Sequence, residues 1–516
     1  MWITIYYVFS YVIFFYTLTA MIALVYLAIR SSIAQKRLLV NAPDDDTIRY
    51  SLKSSPITPS VSIIAPAYNE EITILDNVYS LLGIYYPNFD VIIVNDGSTD
   101  DTLDLLIDEF ELEPVPFIDL KRVPSKPIKA VYKSRNPDFS QLTVVDKEPG
   151  GHKSDSTNAG LNISLSKYFV STDVDCIIEP MALYRMIWHI INSHDTMIGV
   201  GATMLMLNGC LVEDGRVIEP RISNNPLPAF QQLEYMRSFL IGKMGWSSHN
   251  TLPNISGGFG LFDTDIVVKS GGYDPVSLAE DVDLLLRMVT YMENTGQKYR
   301  LAQVPQVSCW TEGPFTLRMF FRQRIRWARG LCEIVSHHRK LFFNAKYGKI
   351  GAATLPYIFI FEFLAPILEV TGFIFMIWLV LINAVNWNTA FVIFGMIYFF
   401  SLSLTFLVLI YDYLTKAVKW KSTWKSYTKL IIAGILEPFL FHPLTTICSM
   451  IGYFNFLRNR GKVWKPIKRK GARKRNDEED NRRHQNRSYD DEYDGYYDDG
   501  YGDEGFEGFG DEDYAV

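Results

Sequence analysis

The sequence predicts an α/β domain fused to transmembrane and interfacial α-helices, and three observations support this fold class. Apolar residues are concentrated at 3–29 and 351–457, in runs long enough to span a bilayer. Between these runs, short apolar segments alternate with amphipathic ones, as strands and helices do in a largely parallel sheet. Only 21% of the 516 residues are charged. This uneven distribution excludes both a wholly soluble protein and a bare membrane bundle.

The first apolar run predicts an N-terminal transmembrane helix within residues 1–32. A signal peptide would begin with basic residues, but none precedes this run. Three basic residues follow it: Arg30, Lys36 and Arg37. The positive-inside rule therefore places the chain after the helix in the cytosol. Residues 33–58 are interpreted as a linker to an α/β domain at 59–315.

Residues 346–457 are predicted to form a C-terminal membrane region. Its first two apolar runs, 351–383 and 389–411, are joined by an uncharged connector, and a lysine-rich connector follows them. This pattern favours an external loop and then a cytosolic one. The last run, 430–457, contains Glu-Pro and His-Pro pairs. We expect it to break at the prolines and return to the cytosolic side; a simple crossing is the alternative.

Two oppositely charged segments end the chain. Residues 458–475 contain ten Lys or Arg and no acid, whereas residues 476–516 contain sixteen Asp or Glu and three Arg. The basic juxtamembrane segment favours contact with anionic lipid. No binding motif accompanies it, so nucleic acid is not an expected partner. The acidic Gly/Tyr tail has almost no aliphatic residues and is predicted to be disordered.

Acidic residues follow two of the predicted strands at the point where each strand ends. Asp96 lies in NDGSTD, and Asp173 and Asp175 form a DxD pair. In largely parallel sheets, ligands bind at the carboxyl ends of the strands. Two carboxylates one residue apart can ligate a divalent cation together with phosphate and water. For each motif alone, a turn or a helix cap is the alternative.

Two further motifs indicate ligand chemistry. Lys153 follows paired glycines, where an ammonium suits a diphosphate, although a solvated loop lysine is the alternative. Glu280 and Asp281 precede an apolar helical run. These acids either complement the helix dipole or supply a general base.

The segment 316–345 is amphipathic and rich in arginine, which predicts a helix at the membrane interface. It contains Gln323, Arg326 and Trp327. The guanidinium suits a leaving diphosphate, and the indole suits stacking on a sugar ring. Arginines that extend along the interface to solvent are the alternative.

In this order, and flanked by membrane helices, these motifs resemble those of the processive family-2 glycosyltransferases, which include cellulose, hyaluronan, chitin and poly-N-acetylglucosamine synthases. The resemblance covers residues 59 to about 457. It rests on Asp96, Asp173-x-Asp175, Glu280-Asp281 and Gln323-x-x-Arg326-Trp327. The single N-terminal span is most similar to the bacterial poly-N-acetylglucosamine-synthase-like branch. The resemblance implies a GT-A-type, Rossmann-like fold, a UDP-sugar donor, Mg²⁺ or Mn²⁺, and inversion at the anomeric carbon.

The resemblance also implies roles for individual residues. The uridine is assigned to Tyr68, Glu70 and Asp96. The diphosphate is assigned to Lys153. Asp173 is placed near the ribose and the metal, which Asp175 ligates.

On the acceptor side, the resemblance implies that Asp281 is the general base. The diphosphate and the acceptor are assigned to Gln323, Arg326, Trp327, Glu280, Gly258 and Phe259. Trp310-Thr311-Glu312 resembles a loop that closes over the site. The base motif often begins with Thr in the family, whereas this chain has Ala279 there.

The implied function is a plasma-membrane, multi-pass glycosyltransferase with a cytosolic catalytic domain. It would polymerise UDP-glucose or UDP-N-acetylglucosamine into a β-linked extracellular polysaccharide and translocate it. Its partners would be the UDP-sugar, the growing polysaccharide, the lipid bilayer and accessory membrane or extracellular subunits. Two alternatives stay open: transfer of one sugar to a lipid carrier, and a transporter or channel with a cytosolic nucleotide-sensing domain.

Overall fold

The computed structural model of the protein describes residues 2–41, 43–53, 55–174, 176–213, 215–415 and 418–458. Three sequence predictions fall on other residues. Asp175, all but the first residue of the basic segment and the whole acidic tail lie outside the described residues.

Among the described residues, ten strands form one mixed sheet. In chain order they are β1 (Val61–Ala67), β2 (Phe89–Asn95), β3 (Leu112–Pro114), β4 (Ile128–Ser134), β5 (Leu142–Lys147), β6 (Tyr168–Thr172), β7 (Ile177–Ile178), β8 (Thr196–Met206), β11 (Phe259–Asp263) and β12 (Tyr299–Thr311). A separate two-stranded sheet contains β9 (Leu211–Glu213) and β10 (Arg216–Glu219). The order across the large sheet is β3-β4-β5-β2-β1-β6-β11-β8-β12-β7.

The strand directions bring many loops to one edge of the sheet. β1 is parallel to β2 and β6, β2 is parallel to β5, and β8 is parallel to β12. β11 runs antiparallel between β6 and β8. The carboxyl ends of these parallel strands therefore share an edge with the start of β11. We call it the strand-end edge.

The helices of the α/β region are α2 (Asp45–Lys53), α3 (Ile74–Leu82), α4 (Thr102–Glu109), α5 (Lys153–Ile163), α6 (Ala182–Ile191), α7 (Pro226–Arg237), α8 (Met244–Ser247), α9 (Thr264–Lys269), α10 (Glu280–Thr295) and α11 (Leu317–His337). A π-helical segment, Ser238–Lys243, joins α7 to α8.

Helices cover both faces of the sheet. Adjacent β1 residues point to opposite faces, so that Ile63 belongs to a core with α3, α4 and α6, and Ile64 to a core with α5, α9 and α10. Both side chains are fully buried. Burial on both faces explains why β1 is continuously apolar rather than alternating. The predicted α/β fold class is confirmed.

The segment 33–58, interpreted as a linker, is mostly helical. The first helix, α1 (Trp2–Asn41), extends beyond the predicted span, and α2 follows it. Ile48 and Leu52 of α2 are buried in the core, and Asp45 forms a two-point ion pair with Arg185 of α6. These contacts attach the segment to the α/β domain.

Within the described chain, four helical segments are long and apolar enough to cross a membrane: Tyr7–Leu38, Ile350–Leu381, Trp387–Thr415 and Thr423–Leu457. The helices of the C-terminal region are α12 (Leu355–Ile358), α13 (Ala365–Leu381), α14 (Trp387–Thr415) and α15 (Thr423–Leu457). The prediction of apolar helices at both ends of the chain is thus confirmed.

The predicted break in the last apolar run is wrong. α15 is continuous and contains Pro438 and Pro443. A proline removes only one hydrogen bond from a helix, and packing against neighbouring helices can offset that loss. Here Glu437 pairs with Arg237 of α7, and Phe441 stacks on Phe230 at a centroid distance of 5.3 Å.

Candidate active site

The loops after β1 and β2 are tied together at the strand-end edge. The backbone N–H of Asn69 donates to Ser98 Oγ at 3.1 Å, and the N–H of Thr99 donates to Asn69 Oδ1 at 2.8 Å. Tyr68 and Glu70 flank Asn69 and are partly buried. The structure therefore brings Tyr68 and Glu70 to the same edge as Asp96.

Asp96 is buried where β2 ends. Its Oδ1 and Oδ2 accept hydrogen bonds from the N–H groups of Gly150 and Gly151 at 2.8 and 3.0 Å. It also forms an ion pair with Lys147, whose side chain is 0% exposed and whose Nζ lies 2.7 Å from Asp155. Because Gly151 has φ of +71°, this turn favours glycine. Asp96 thus fixes the loop that leads into α5.

Lys153 begins α5 and lies at the centre of a second charged cluster. Its Nζ donates to Asp173 Oδ1 and to the carbonyl oxygen of Gly257, both at 2.6 Å. Burial lowers the pKa of Lys153, but Asp173 and Glu280 outweigh burial and raise it. Lys153 is therefore a cation at neutral pH, held between β6 and the loop before β11.

Glu280 and Asp281 occupy the first turn of α10, next to this cluster. Ser154 Oγ donates to Glu280, and Asn254 Nδ2 donates to Asp281 Oδ2 at 2.8 Å. Burial raises the pKa of Glu280, against the opposing effects of Lys153 and Ser154. An added Cβ at Gly257 would lie 3.8 Å from both acidic side chains. The predicted base and the predicted diphosphate lysine therefore lie in one site.

Two residues predicted near the acceptor are core residues. Phe259 starts β11, pairs with Thr172 and is 0% exposed, so its side chain cannot contact an acceptor and only its backbone could take the assigned role. Trp310 is in β12, is buried, and donates from Nε1 to Glu179 at 2.7 Å. The predicted closing loop is therefore wrong at Trp310. Gly258 does lie at the strand-end edge, and its carbonyl oxygen accepts from Thr172 Oγ1 at 2.9 Å.

The Gln-x-x-Arg-Trp motif lies on α11, as the amphipathic pattern predicts. Gln323 Oε1 accepts from Gln231 Nε2 of α7 at 3.0 Å. Arg326 forms no hydrogen bond or ion pair with any described residue, so its guanidinium is available to a ligand. Trp327 is 38% exposed. An exposed indole beside a free guanidinium can meet a sugar and an anionic group.

α11 also contacts the segment that carries the predicted base. An added Cβ at Gly330 would lie 2.9 Å from Ala279 Cβ. Glu333 accepts from the N–H of Leu278 at 3.0 Å, and His338 Nε2 lies 2.7 Å from Asp283 Oδ1. This close approach to Gly330 gives a structural context for the small Ala279, and it couples α11 to the start of α10.

The acidic side chains at the strand-end edge have the ligand chemistry that a divalent cation requires. Asp173 follows β6 directly, and about a third of its side chain is exposed. The carboxylates of Asp173, Glu280 and Asp281 outnumber the single ammonium of Lys153 in this cluster. Carboxylate oxygens are the ligands that Mg²⁺ takes in proteins. Within the residues described by the structure, no group of three or more His, Cys, Asp or Glu side chains is arranged so that it could hold a metal ion.

Several residues of the site were not found from the sequence. Lys147 and Asn254 bind the acids Asp96 and Asp281, yet neither belongs to a distinctive motif. Lys243 is also buried, 5% exposed, at the end of the π-helical segment. Burial lowers the pKa of Lys243 to about 8, and Asp281 and Glu362 oppose this effect. A lysine in an apolar run is the only available sequence signal for Lys243.

Two family models match the chain. Residues 62–122 match glycosyl transferase family 2, and residues 229–414 match glycosyl transferase family group 2. The first match begins in β1 and includes Asp96, and the second includes Asp281 and the α11 motif. The prediction of glycosyltransferase family 2 domains is confirmed over these residues.

Curated relatives are similar over a little more than half of the chain. A probable glycosyltransferase of Bacillus subtilis (strain 168), YdaM, is 29% identical over 294 residues, which are 57% of this chain and 60% of that protein. Poly-beta-1,6-N-acetyl-D-glucosamine synthase of Staphylococcus aureus (strain COL) is 28% identical over 333 residues, 63% of this chain and 66% of that protein. The chain thus spans less than two thirds of the length of these relatives.

Solved structures with a similar chain include two complexes with nucleotide sugars. The mannosyltransferase PcManGT of Pyrobaculum calidifontis, in complex with GDP-Man and Mn²⁺, has a TM-score of 0.45 and 15% identity and covers 84% of this chain and 99% of its own. S. aureus TarS 1-349 in complex with UDP-GlcNAc has a TM-score of 0.35 and 15% identity, with coverages of 73% and 91%.

Proposed function

Because the chain carries glycosyltransferase family 2 domains, we propose that it is a membrane-bound, inverting and processive transferase that polymerises a UDP-sugar. The convergence of Lys153, Asp173, Glu280 and Asp281 at the strand-end edge carries this proposal. A nucleotide diphosphate needs a cation, and an attacking hydroxyl needs a base. The same cluster contains both.

The donor in this proposal binds along the strand-end edge. Tyr68, Glu70 and Asp96 hold the uridine side, and Lys153 faces the diphosphate. Lys153 is already bonded to Asp173 and Gly257. A diphosphate would compete with these partners or share the ammonium with them. Asp173 and Asp175 are the residues that would hold Mg²⁺ or Mn²⁺, and such an ion, when bound, offsets charge on the leaving UDP.

Asp281 is the proposed general base. Asn254 and the N–H of Val282 donate to its two oxygens at 2.8 and 2.9 Å, which fixes the carboxylate plane and leaves lone pairs for a proton. It accepts the proton of the acceptor hydroxyl while that oxygen attacks the anomeric carbon and the bond to UDP breaks. Attack opposite the leaving group gives inversion.

The acceptor lies on the α11 side in this proposal. Trp327 offers an exposed ring to the terminal sugar, and Arg326 offers an unpaired cation to the departing diphosphate. Gln323 and Gly258 complete the acceptor side, next to Glu280. Similarity to poly-beta-1,6-N-acetyl-D-glucosamine synthases supports UDP-N-acetylglucosamine as the donor, with UDP-glucose as the other candidate.

Membrane placement follows from the same proposal. The apolar helical segments lie in the plasma membrane, residues 59–315 form the cytosolic transferase domain, and 316–345 lie at the interface. The growing chain then leaves through the adjacent helices of 346–457. Accessory membrane or extracellular subunits and a basic segment on anionic lipid complete the proposed assembly.

The test uses membranes that contain the full chain, incubated separately with radiolabelled UDP-N-acetylglucosamine and UDP-glucose. We expect UDP release from one donor and a long product that stays with the protein and is degraded by a glycosidase of matching specificity. A product limited to one sugar in the lipid extract would favour the non-processive alternative. Absence of UDP release with every nucleotide sugar tried would overturn the proposal and favour a sensing or transport role.

A further inference from the structure

Arg324 lies inside the α11 motif, but its guanidinium is paired within the protein, unlike that of Arg326. It is 8% exposed, and Glu234 of α7 binds it at two points. Arg324 Nη1 donates to Glu234 Oε1 at 2.7 Å, and Nη2 donates to Oε2. Such two-point pairing fixes the plane of a guanidinium as well as its position.

The same guanidinium lies over the ring of Trp327. Arg324 Cζ is 4.5 Å from the centroid of the Trp327 ring, and it lies 5.2 Å from Phe320 and 5.4 Å from Phe441. A planar guanidinium stacks on aromatic faces in a way that an ammonium does not. The buried cation therefore supports the ring from one side while 38% of Trp327 stays exposed.

α7 makes a second contact with α11, about one helical turn before Glu234. Gln231 is buried, and its Nε2 donates to Gln323 Oε1 at 3.0 Å. Gln231 and Glu234 are three residues apart and so face the same side of α7. Two neighbouring side chains of α7 thus hold two adjacent residues of α11, Gln323 and Arg324.

We propose that Glu234 is a positioning residue for the acceptor, because it holds Arg324 against Trp327 and so gives the exposed ring one orientation. This inference rests on the proposed function, in which Trp327 carries the acceptor sugar. A purely stabilising role is the competing explanation. Arg324 is buried and Glu234 is about a third exposed. Ion pairs with a buried member often contribute less stability than apolar residues of similar size, and this pair contacts the one exposed ring of the motif.

The first experiment compares E234Q with D45N. Each variant removes the charge from a carboxylate in a two-point pair with arginine; the Asp45–Arg185 distances are 3.0 and 2.6 Å, and that pair joins α2 to α6. We expect E234Q to lower kcat/KM for an acceptor oligosaccharide roughly 10- to 100-fold, mainly through KM. UDP affinity should stay within about twofold, and D45N should behave as wild type in both measurements.

A spectroscopic readout tests the position of the ring without any turnover. The fluorescence of Trp327 is isolated as the difference between each protein and its W327F version. We expect E234Q to change the intensity and emission maximum of this difference spectrum, and D45N to leave both unchanged. If no nucleotide sugar supports transfer, the proposed function fails, yet this spectrum still decides whether Glu234 positions Trp327.

The double variant E234L/R324M separates positioning from stability. Replacing both members of an ion pair that is largely removed from water by apolar residues is often neutral, so we expect the thermal midpoint to stay close to that of wild type. Acceptor KM should nevertheless increase about as much as in E234Q. A double variant with wild-type acceptor KM would overturn the proposal. So would an E234Q protein whose acceptor KM and Trp327 spectrum are both unchanged.

Discussion

The proposed donor and acceptor sides of the site differ in how their cations are paired with acidic residues. On the donor side, Lys147 is paired with Asp96 and Asp155, and Lys153 with Asp173. On the proposed acceptor side, Arg324 is paired with Glu234, whereas the Arg326 side chain forms no hydrogen bond or ion pair within the described residues, and neither does that of the buried Lys243. Paired charges fix the loop geometry before a ligand arrives. An unpaired cation, in contrast, can form its ion pair with the ligand itself. In the proposed assignment, the donor-side lysines are thus held by acids before a ligand arrives. On the acceptor side, Arg324 and Trp327 are held through Glu234, and Arg326 is left for a ligand.

The absence of an ion pair is energetically costly at Lys243, because its ammonium is buried. The ammonium lies 4.5 Å from the centroid of the Phe239 ring and has only more distant carboxylates, Asp281 and Glu362, to oppose desolvation. Burial therefore lowers the pKa of Lys243 to about 8, whereas Asp173 and Glu280 raise the pKa of Lys153. The pKa values of these two lysines near one site are thus shifted in opposite directions.

The largest expected effect is the loss of sugar transfer when the proposed base, Asp281, is replaced. D281N keeps the shape of the side chain but cannot accept a proton, so sugar transfer should fall roughly 10²- to 10⁴-fold. UDP affinity should change by less than about threefold, because Asp281 binds Asn254 rather than the donor cluster. Steady-state transfer and UDP titration measure the two quantities. Transfer at a tenth of the normal rate would exclude Asp281 as the base.

The second prediction breaks the preformed donor side. K147M leaves Asp96 and Asp155 without their shared buried cation, which should destabilise the protein by about 3–5 kcal/mol and weaken UDP binding. The matched control is K129M, whose exposed lysine lies 3.6 Å from Asp146 and should cost less than about 1 kcal/mol. Thermal midpoints in detergent compare the two. Equal shifts would show that Lys147 is not the organising cation.

The third prediction concerns the unpaired buried lysine. A lysine whose pKa is lowered from 10.5 to about 8 binds fewer protons in the folded than in the unfolded state between these pH values. Wild-type stability should therefore rise with pH across that window. K243M should lose this rise and be more stable than wild type at pH 7 by about 1–3 kcal/mol. Lower stability of K243M at pH 7 would show that Lys243 is compensated in the folded state.

The sequence predicts the fold and the position of the strand-end acids well, because these signals are local. Continuous apolar strands followed by acids place Asp96 and Asp173 at one edge of a parallel sheet, and the structure agrees. The period of the 316–345 segment likewise predicts α11. In these elements, neighbouring residues along the chain already contain the pattern that folding uses.

The errors and omissions come from contacts between distant segments. Phe259 is buried because β11 inserts antiparallel beside β6, which no local pattern indicates. α15 continues through its prolines because other helices pack on it. Lys147, Asn254 and Glu234 act through partners 27 to 90 residues away. Their roles can be recognised only in the tertiary structure, where both partners are in contact.

The most direct test of the two-sided site measures two affinities in two variants, K153M and W327A. We predict that K153M loses UDP affinity at least about tenfold because the diphosphate loses its cation, and that it keeps acceptor-oligosaccharide affinity. W327A should show the reverse, with UDP affinity within about twofold of wild type. Titration of each variant with UDP and with the oligosaccharide gives all four values. Loss of both affinities in both variants, with the fold intact, would contradict separate donor and acceptor sides.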